Sequence, residues 1–107
     1  MYAITFDLDI KELEARYPAA NWRKAYDDIG VFLNEYGFER QQGSIYFGDD
    51  EVQAVACVTA IQDLSQEYDW FEHCVRDIRM LRIEERNDLM PAIKKSLRRR
   101  KTSRLVA

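Results

Sequence analysis

The N-terminal segment constrains the fold most. Tyr2, Ile4, Phe6 and Leu8 alternate with Ala3, Thr5 and Asp7. A period of two over seven residues belongs to a strand with one buried face, because a helix would scatter those apolar side chains around its circumference. Such a strand needs neighbours to pair with and a layer to cover its apolar side. Asp7 falls on the other side, away from that cover.

The rest of the chain supplies both. Asp9, with Glu12 three positions on, has the form of a capping box and opens a short helix over 10–16, which Pro18 interrupts. Asn21 is a good N-cap for a second helix over 21–36, where Trp22, Ala25, Tyr26, Ile29, Phe32, Leu33 and Tyr36 recur at helical spacing. Gly37 is placed to end it in a left-handed cap. Residues 38–41 and 44–47, broken at Gln42 and Gly43, read as a β-hairpin. Asp50, with Gln53, is expected to open a helix that fades near Tyr68. Residues 76–84 form a last strand with apolar residues on both faces, and a terminal helix is expected over 87–99. The fold class is therefore α+β: a ferredoxin-like β-α-β-β-α-β sandwich with two helices on one face of an antiparallel sheet and an appended C-terminal helix.

At 107 residues, 47% hydrophobic and 33% charged, the chain suits one domain and is neither disordered nor low-complexity. No apolar run approaches ~20 residues and the start lacks the order of a signal peptide, so a cytoplasmic protein with no membrane partner is expected. Cys57 and Cys74 form neither a disulfide framework nor a zinc pattern, and reduced, buried thiols are expected. Lys94, Lys95, Arg98, Arg99, Arg100, Lys101 and Arg104 hold seven of the sixteen basic residues, with no acid among them. This divides the chain into a body over 1–96 and a basic tail over 97–107, which reads equally as a nucleic-acid contact or a solvated helix end.

In the expected topology the C-terminal end of strand one meets the N-terminal ends of strands three and four. Asp7, Ser44 and Asp77 should converge there. If Ile4, Phe6, Ile45, Phe47, Ile78 and Met80 face the helices, then Asp7, Ser44, Tyr46, Asp77 and Arg79 lie on the uncovered face, joined by Leu81 and Ile83. That apolar patch suits a homodimer interface, or a seat for the terminal helix.

Three blocks, MYAITFDLD at the start, GFERQQGSIYFG over 37–48 and VRDIRMLRIEERNDLMP over 75–91, resemble the virulence-associated protein D family of bacteria across about residues 1–95. The resemblance implies a ferredoxin-like homodimer with endoribonuclease activity on purine-containing RNA, acting as a toxin or persistence factor, in some cases beside a small antitoxin protein. Carried over by motif, it points to Asp7, Ser44 and Asp77 as catalytic, and to Leu13 as a position that matters for activity.

The chemistry agrees. RNA cleavage needs a group to deprotonate or orient the attacking oxygen and positive charge for the transition state. Asp7 suits the first task. Asp77 beside it could raise one carboxylate's pKa, or the pair could hold Mg²⁺, with Asp7 the ligand if the ion is used; no other cofactor is implied. Ser44 could bond a phosphate oxygen, Arg40, Arg76 and Arg79 could contact phosphates, and Tyr46 could stack on a base. Each also has a structural reading: a turn hydroxyl for Ser44, ion pairs for the arginines and Asp77. His73, the single histidine, removes the paired-imidazole route, and there is no Gly-rich phosphate loop, nucleophile elbow or HExxH. The rival readings are a non-catalytic RNA-binding or regulatory dimer, and a small-ligand module between subunits.

Overall fold

A computed structural model describes residues 1–106, with side chains for residues 1–99. Its elements are β1 (Tyr2–Leu8), α1 (Ile10–Arg16), α2 (Lys24–Glu35), β2 (Phe38–Gln42), β3 (Ile45–Gly48), α3 (Ala54–Glu67), α4 (Phe71–Cys74), β4 (Val75–Arg82) and α5 (Met90–Val106). The four strands make one antiparallel sheet in the order β2-β3-β1-β4. The α+β class, the four strands and the terminal helix all agree with the sequence reading.

The alternation in β1 is realised. Ile4, Phe6 and Leu8 are buried and join Ile29 and Leu33 of α2, Cys57, Ala60 and Leu64 of α3, and Phe71 and Cys74 of α4 in one core. Each fully buried Leu, Ile or Phe contributes ~1.5–3 kcal/mol relative to exposure. Asp9 caps α1, its Oδ1 accepting from the Glu12 amide at 3.2 Å. Gly37 takes φ +91° after α2, where a Cβ would come 3.0 Å from an Asp49 carboxylate oxygen. Two tyrosines tie the helices together: Tyr17 donates to Asp28 Oδ2 at 2.6 Å, and Tyr36 donates to Asp63. Both cysteines are free and buried, as expected.

Helix boundaries depart from expectation where polar side chains cap turns. Asn21 Oδ1 accepts from the Arg23 amide, making a local turn, so α2 begins later. Asp49 does the same for Glu51, which delays α3 to Ala54. The four-residue α4 is too short to show a periodicity, and the sequence gives no sign of it.

Strand β3 corrects the expected faces. Tyr46 pairs with Ile4, so it shares the helix-covered side, where it is fully buried and stacks on Phe6 at 5.7 Å between ring centroids. Ile45 and Phe47 therefore point to the uncovered face. Three consecutive large apolar residues leave parity undecided by composition; the register with β1 decides it. Gly30 of α2 makes the room, since a Cβ there would lie 3.3 Å from the Tyr46 hydroxyl.

Helix α5 stands apart from the core. Residues 84–99 are all exposed, and the chain extends 62 Å along its longest axis with a radius of gyration of 19.0 Å, against ~13 Å for a compact chain of this length. Leu89, Met90, Ile93 and Leu97 thus lie in the open and do not cover the sheet within this subunit.

Candidate active site

The sequence places a carboxylate at the last outward position of β1, and the β1–β4 ladder sets its neighbour. Asp7 and Asp77 are Cα partners, so both side chains leave the same, uncovered face. Immediately beyond, the register slips: Leu8 pairs with Val75, leaving Arg76 as the extra residue of a β-bulge. A bulge re-aims a side chain that strict alternation would send to the other face. Here it sends the Arg76 guanidinium between two aspartates, with Nη1 3.8 Å from Asp7 Oδ2 and Nη2 3.3 Å from Asp9 Oδ2.

Asp9 is the fixed member of this trio. Its amide donates to Cys74 O at 2.8 Å while its carboxylate caps α1. The Glu12 amide, opposed by partial desolvation and assisted by Arg76, holds the Asp9 carboxyl below the usual carboxylate range. Asp9 therefore anchors Arg76 and leaves Asp7 with only a long contact to it. On the other side, Arg79 Nε meets Asp77 Oδ1 and Oδ2 at 3.3 and 3.1 Å. The Asp7 and Arg76 side chains are 61% and 62% exposed, so these pairs contribute little to stability but are open to a ligand.

Other expected site residues fall into two groups. Ser44 lies at the same end of the sheet, its carbonyl accepting from the Phe6 amide at 3.2 Å, but the register that turns Tyr46 inward puts Ser44 opposite Phe6 on the helix side, which corrects its expected place on the face of Asp7. Arg40 is exposed and donates from Nε to Gly43 O at 2.8 Å, bracing the hairpin turn. Leu13 and Tyr46 are fully buried, so packing is the one route by which Leu13 can bear on the site, and the expected stacking of Tyr46 on a base is corrected by its place in the core.

Three features of the site are not legible in the sequence. Asp9 reads there only as a cap, because nothing local shows that a bulge 67 positions away brings Arg76 to it. Tyr26 of α2 has its phenol pushed up by burial and by the Asp7 charge, with Arg40 opposing, which puts a protonated hydroxyl within the electrostatic reach of Asp7. Phe47, on the uncovered face opposite Ala3 and four residues along β1 from Asp7, carries the Arg86 guanidinium 5.2 Å from its ring centroid.

Together these groups offer an exposed carboxylate to take a proton, a second carboxylate beside it, and two guanidinium groups to meet negative charge. Among the described residues no three carboxylate, imidazole or thiol groups gather around one point. Asp7 and Asp77 each already face an arginine. An Mg²⁺ ion held by these two carboxylates and a substrate phosphate would have to displace both arginines from them.

No family model matches the chain. Individual relatives do. An endoribonuclease VapD homolog of Helicobacter pylori is 53% identical over 94 residues, covering 88% of this chain and 97% of that protein. The chain belongs to the VapD endoribonuclease family. Endoribonuclease VapD 2 of Riemerella anatipestifer is 50% identical over 93 residues, 87% of this chain and 99% of its own length. Endoribonuclease VapD of Dichelobacter nodosus is 43% identical over 94 residues, 88% and 98% respectively. VapD relatives are thus matched almost end to end, and the family resemblance read from the three sequence blocks stands.

Proposed function

We propose that the chain is an endoribonuclease that cleaves single-stranded, purine-containing RNA, with Asp7 as its central carboxylate. The observation that carries this is the Asp7–Arg76–Asp9 arrangement at the β-bulge, opposite Asp77, in a chain half identical to proteins named endoribonucleases. Asp7 takes the proton of the attacking 2′-hydroxyl as the 2′-oxygen bonds to phosphorus. Arg76 and Arg79 stabilise the charge that grows on the phosphoryl oxygens, and the bond to the 5′-oxygen breaks. The departing 5′-oxygen takes a proton from water. This sequence yields a 2′,3′-cyclic phosphate and a 5′-hydroxyl.

The strand order β2-β3-β1-β4, with α2 and α3 on one face, supports the ferredoxin-like reading of the fold. The uncovered face supports a homodimer: Ile45 and Leu81 are 39% and 46% exposed there, and a two-fold pairing over them would bring two Asp7 edges together. A toxin or persistence role, with a small antitoxin as partner, rests on family resemblance alone.

The test is cleavage of a labelled purine-rich RNA and of the same strand with 2′-deoxy sugars, each with EDTA or Mg²⁺. Cleavage of the RNA only, ending in cyclic phosphate and undiminished by EDTA, supports the reading. Cleavage of both strands, or none without Mg²⁺, overturns the 2′-hydroxyl route. Binding without cleavage under any condition returns the chain to the non-catalytic class.

A further inference from the structure

The VapD relatives are matched nearly in full by 93 or 94 residues of this chain, so about a dozen residues here are additional. The family blocks begin at Met1 and run through Pro91, which puts the surplus at the C-terminus. That surplus is where the charge inverts: seven of sixteen basic residues fall between Lys94 and Arg104, while all nineteen acidic ones lie before them. The backbone there is helical to Val106, and every described side chain of the helix is exposed. Despite the acidity of the body, this helix projects from it, and its described side chains are exposed where an external polyanion can reach them.

We infer that the basic end of α5, most of which this chain carries beyond its relatives, is a phosphate-binding arm that holds RNA away from the scissile bond. The inference rests on the endoribonuclease reading for its substrate. Geometry sets where the arm acts. Arg82, the last residue of β4, pairs with Tyr2, and Asp77 pairs with Asp7 five positions away. At ~3.3 Å per residue the arm therefore leaves the sheet ~17 Å from the Asp7 edge of its own subunit. The stretch from Lys94 to Arg104 adds ~15 Å of helix. An RNA of four nucleotides seated at Asp7 does not reach it, and one of about twenty does.

The test is a full-length variant with Lys94, Lys95, Arg98, Arg99, Arg100, Lys101 and Arg104 all changed to Gln, a residue of similar helix propensity. For a 20-nucleotide RNA, KM should rise at least tenfold with kcat held. For a tetranucleotide both should stay as in the wild type. In direct RNA binding, each phosphate that the variant leaves unneutralised flattens the plot of log affinity against log salt by about 0.7, so two to four such phosphates flatten it by about 1.4 to 2.8. Equal KM on the long RNA with an unchanged salt slope overturns the arm. An equal rise on the tetranucleotide puts these charges in the cleavage site and overturns its distal place. Wild-type binding to vesicles of anionic lipid that disappears in the variant, with RNA binding unaltered, would make the arm a membrane-binding element and overturn it as well. Should wild-type protein bind RNA with the arm-dependent slope yet cleave nothing, the arm stands and the endoribonuclease reading falls.

Discussion

Leu13 offers a sharp test, because family resemblance makes it a position that matters for activity while the structure buries it completely. It is the one buried residue of α1, a seven-residue helix that positions Asp9 and is too short to hold its shape without packing. Leu13→Ala removes three carbons from a filled site and should cost ~2–5 kcal/mol. Against a total stability of ~5–15 kcal/mol this is large. At ~4–8 °C per kcal/mol for a domain of this size, a 3 kcal/mol loss lowers Tm by ~12–24 °C. Urea unfolding followed by circular dichroism gives the loss directly, and cleavage rates at 10 °C and 37 °C show how activity follows it. The expected result is that activity per folded molecule falls modestly at 10 °C and collapses on warming. Leu13→Met, which conserves volume, should stay within ~1.5 kcal/mol and remain active. A Leu13→Ala protein with unaltered unfolding midpoint and no activity would refute the packing role and place Leu13 against the RNA.

Tyr46→Phe removes a buried hydroxyl that finds no hydrogen-bond partner among the described residues, so stability should rise by ~1 kcal/mol with cleavage unchanged; a fall in the unfolding midpoint would refute this. Arg76→Met should lower kcat ~10²-fold or more while changing stability by less than ~1 kcal/mol, because its ion pairs are exposed; calorimetry and single-turnover cleavage report the two effects separately. Burial and the Asp28 hydrogen bond push the Tyr17 phenol up to about 12, so the unfolded chain ionises first and Tyr17 destabilises the fold progressively from about pH 10 to about pH 12. Its full contribution is present below pH 10 and is lost as pH rises through about 12, a pH dependence that Tyr17→Phe should abolish in urea titrations across that range.

What the sequence disclosed, and what it hid, follows from the range of the interactions. Short-range rules located β1, the Asp9 cap and the Gly37 turn, since each is decided within a few residues. The pairing of Asp7 with Asp77 was readable once a topology was assumed, as both sit at strand ends with matching parity. The face of Tyr46 was not readable, because Ile45, Tyr46 and Phe47 are all large and apolar and only the register with Ile4 sorts them. Arg76 was readable as a phosphate contact but not as the link between Asp7 and Asp9, because that depends on a single-residue bulge. The tail's charge was plain from the start; its separation from the core required the structure.

In the proposed mechanism the Asp7 carboxylate takes a proton in the bond-breaking step, and every other group serves that transfer. Single-turnover cleavage by Asp7→Asn, compared with wild type at saturating RNA and alongside a direct binding measurement, tests this with little change in side-chain size. The expected result is a rate lowered ~10²–10⁴-fold with RNA affinity within a few-fold and the unfolding midpoint unmoved. A variant that is folded, binds RNA and cleaves at the wild-type rate would contradict it.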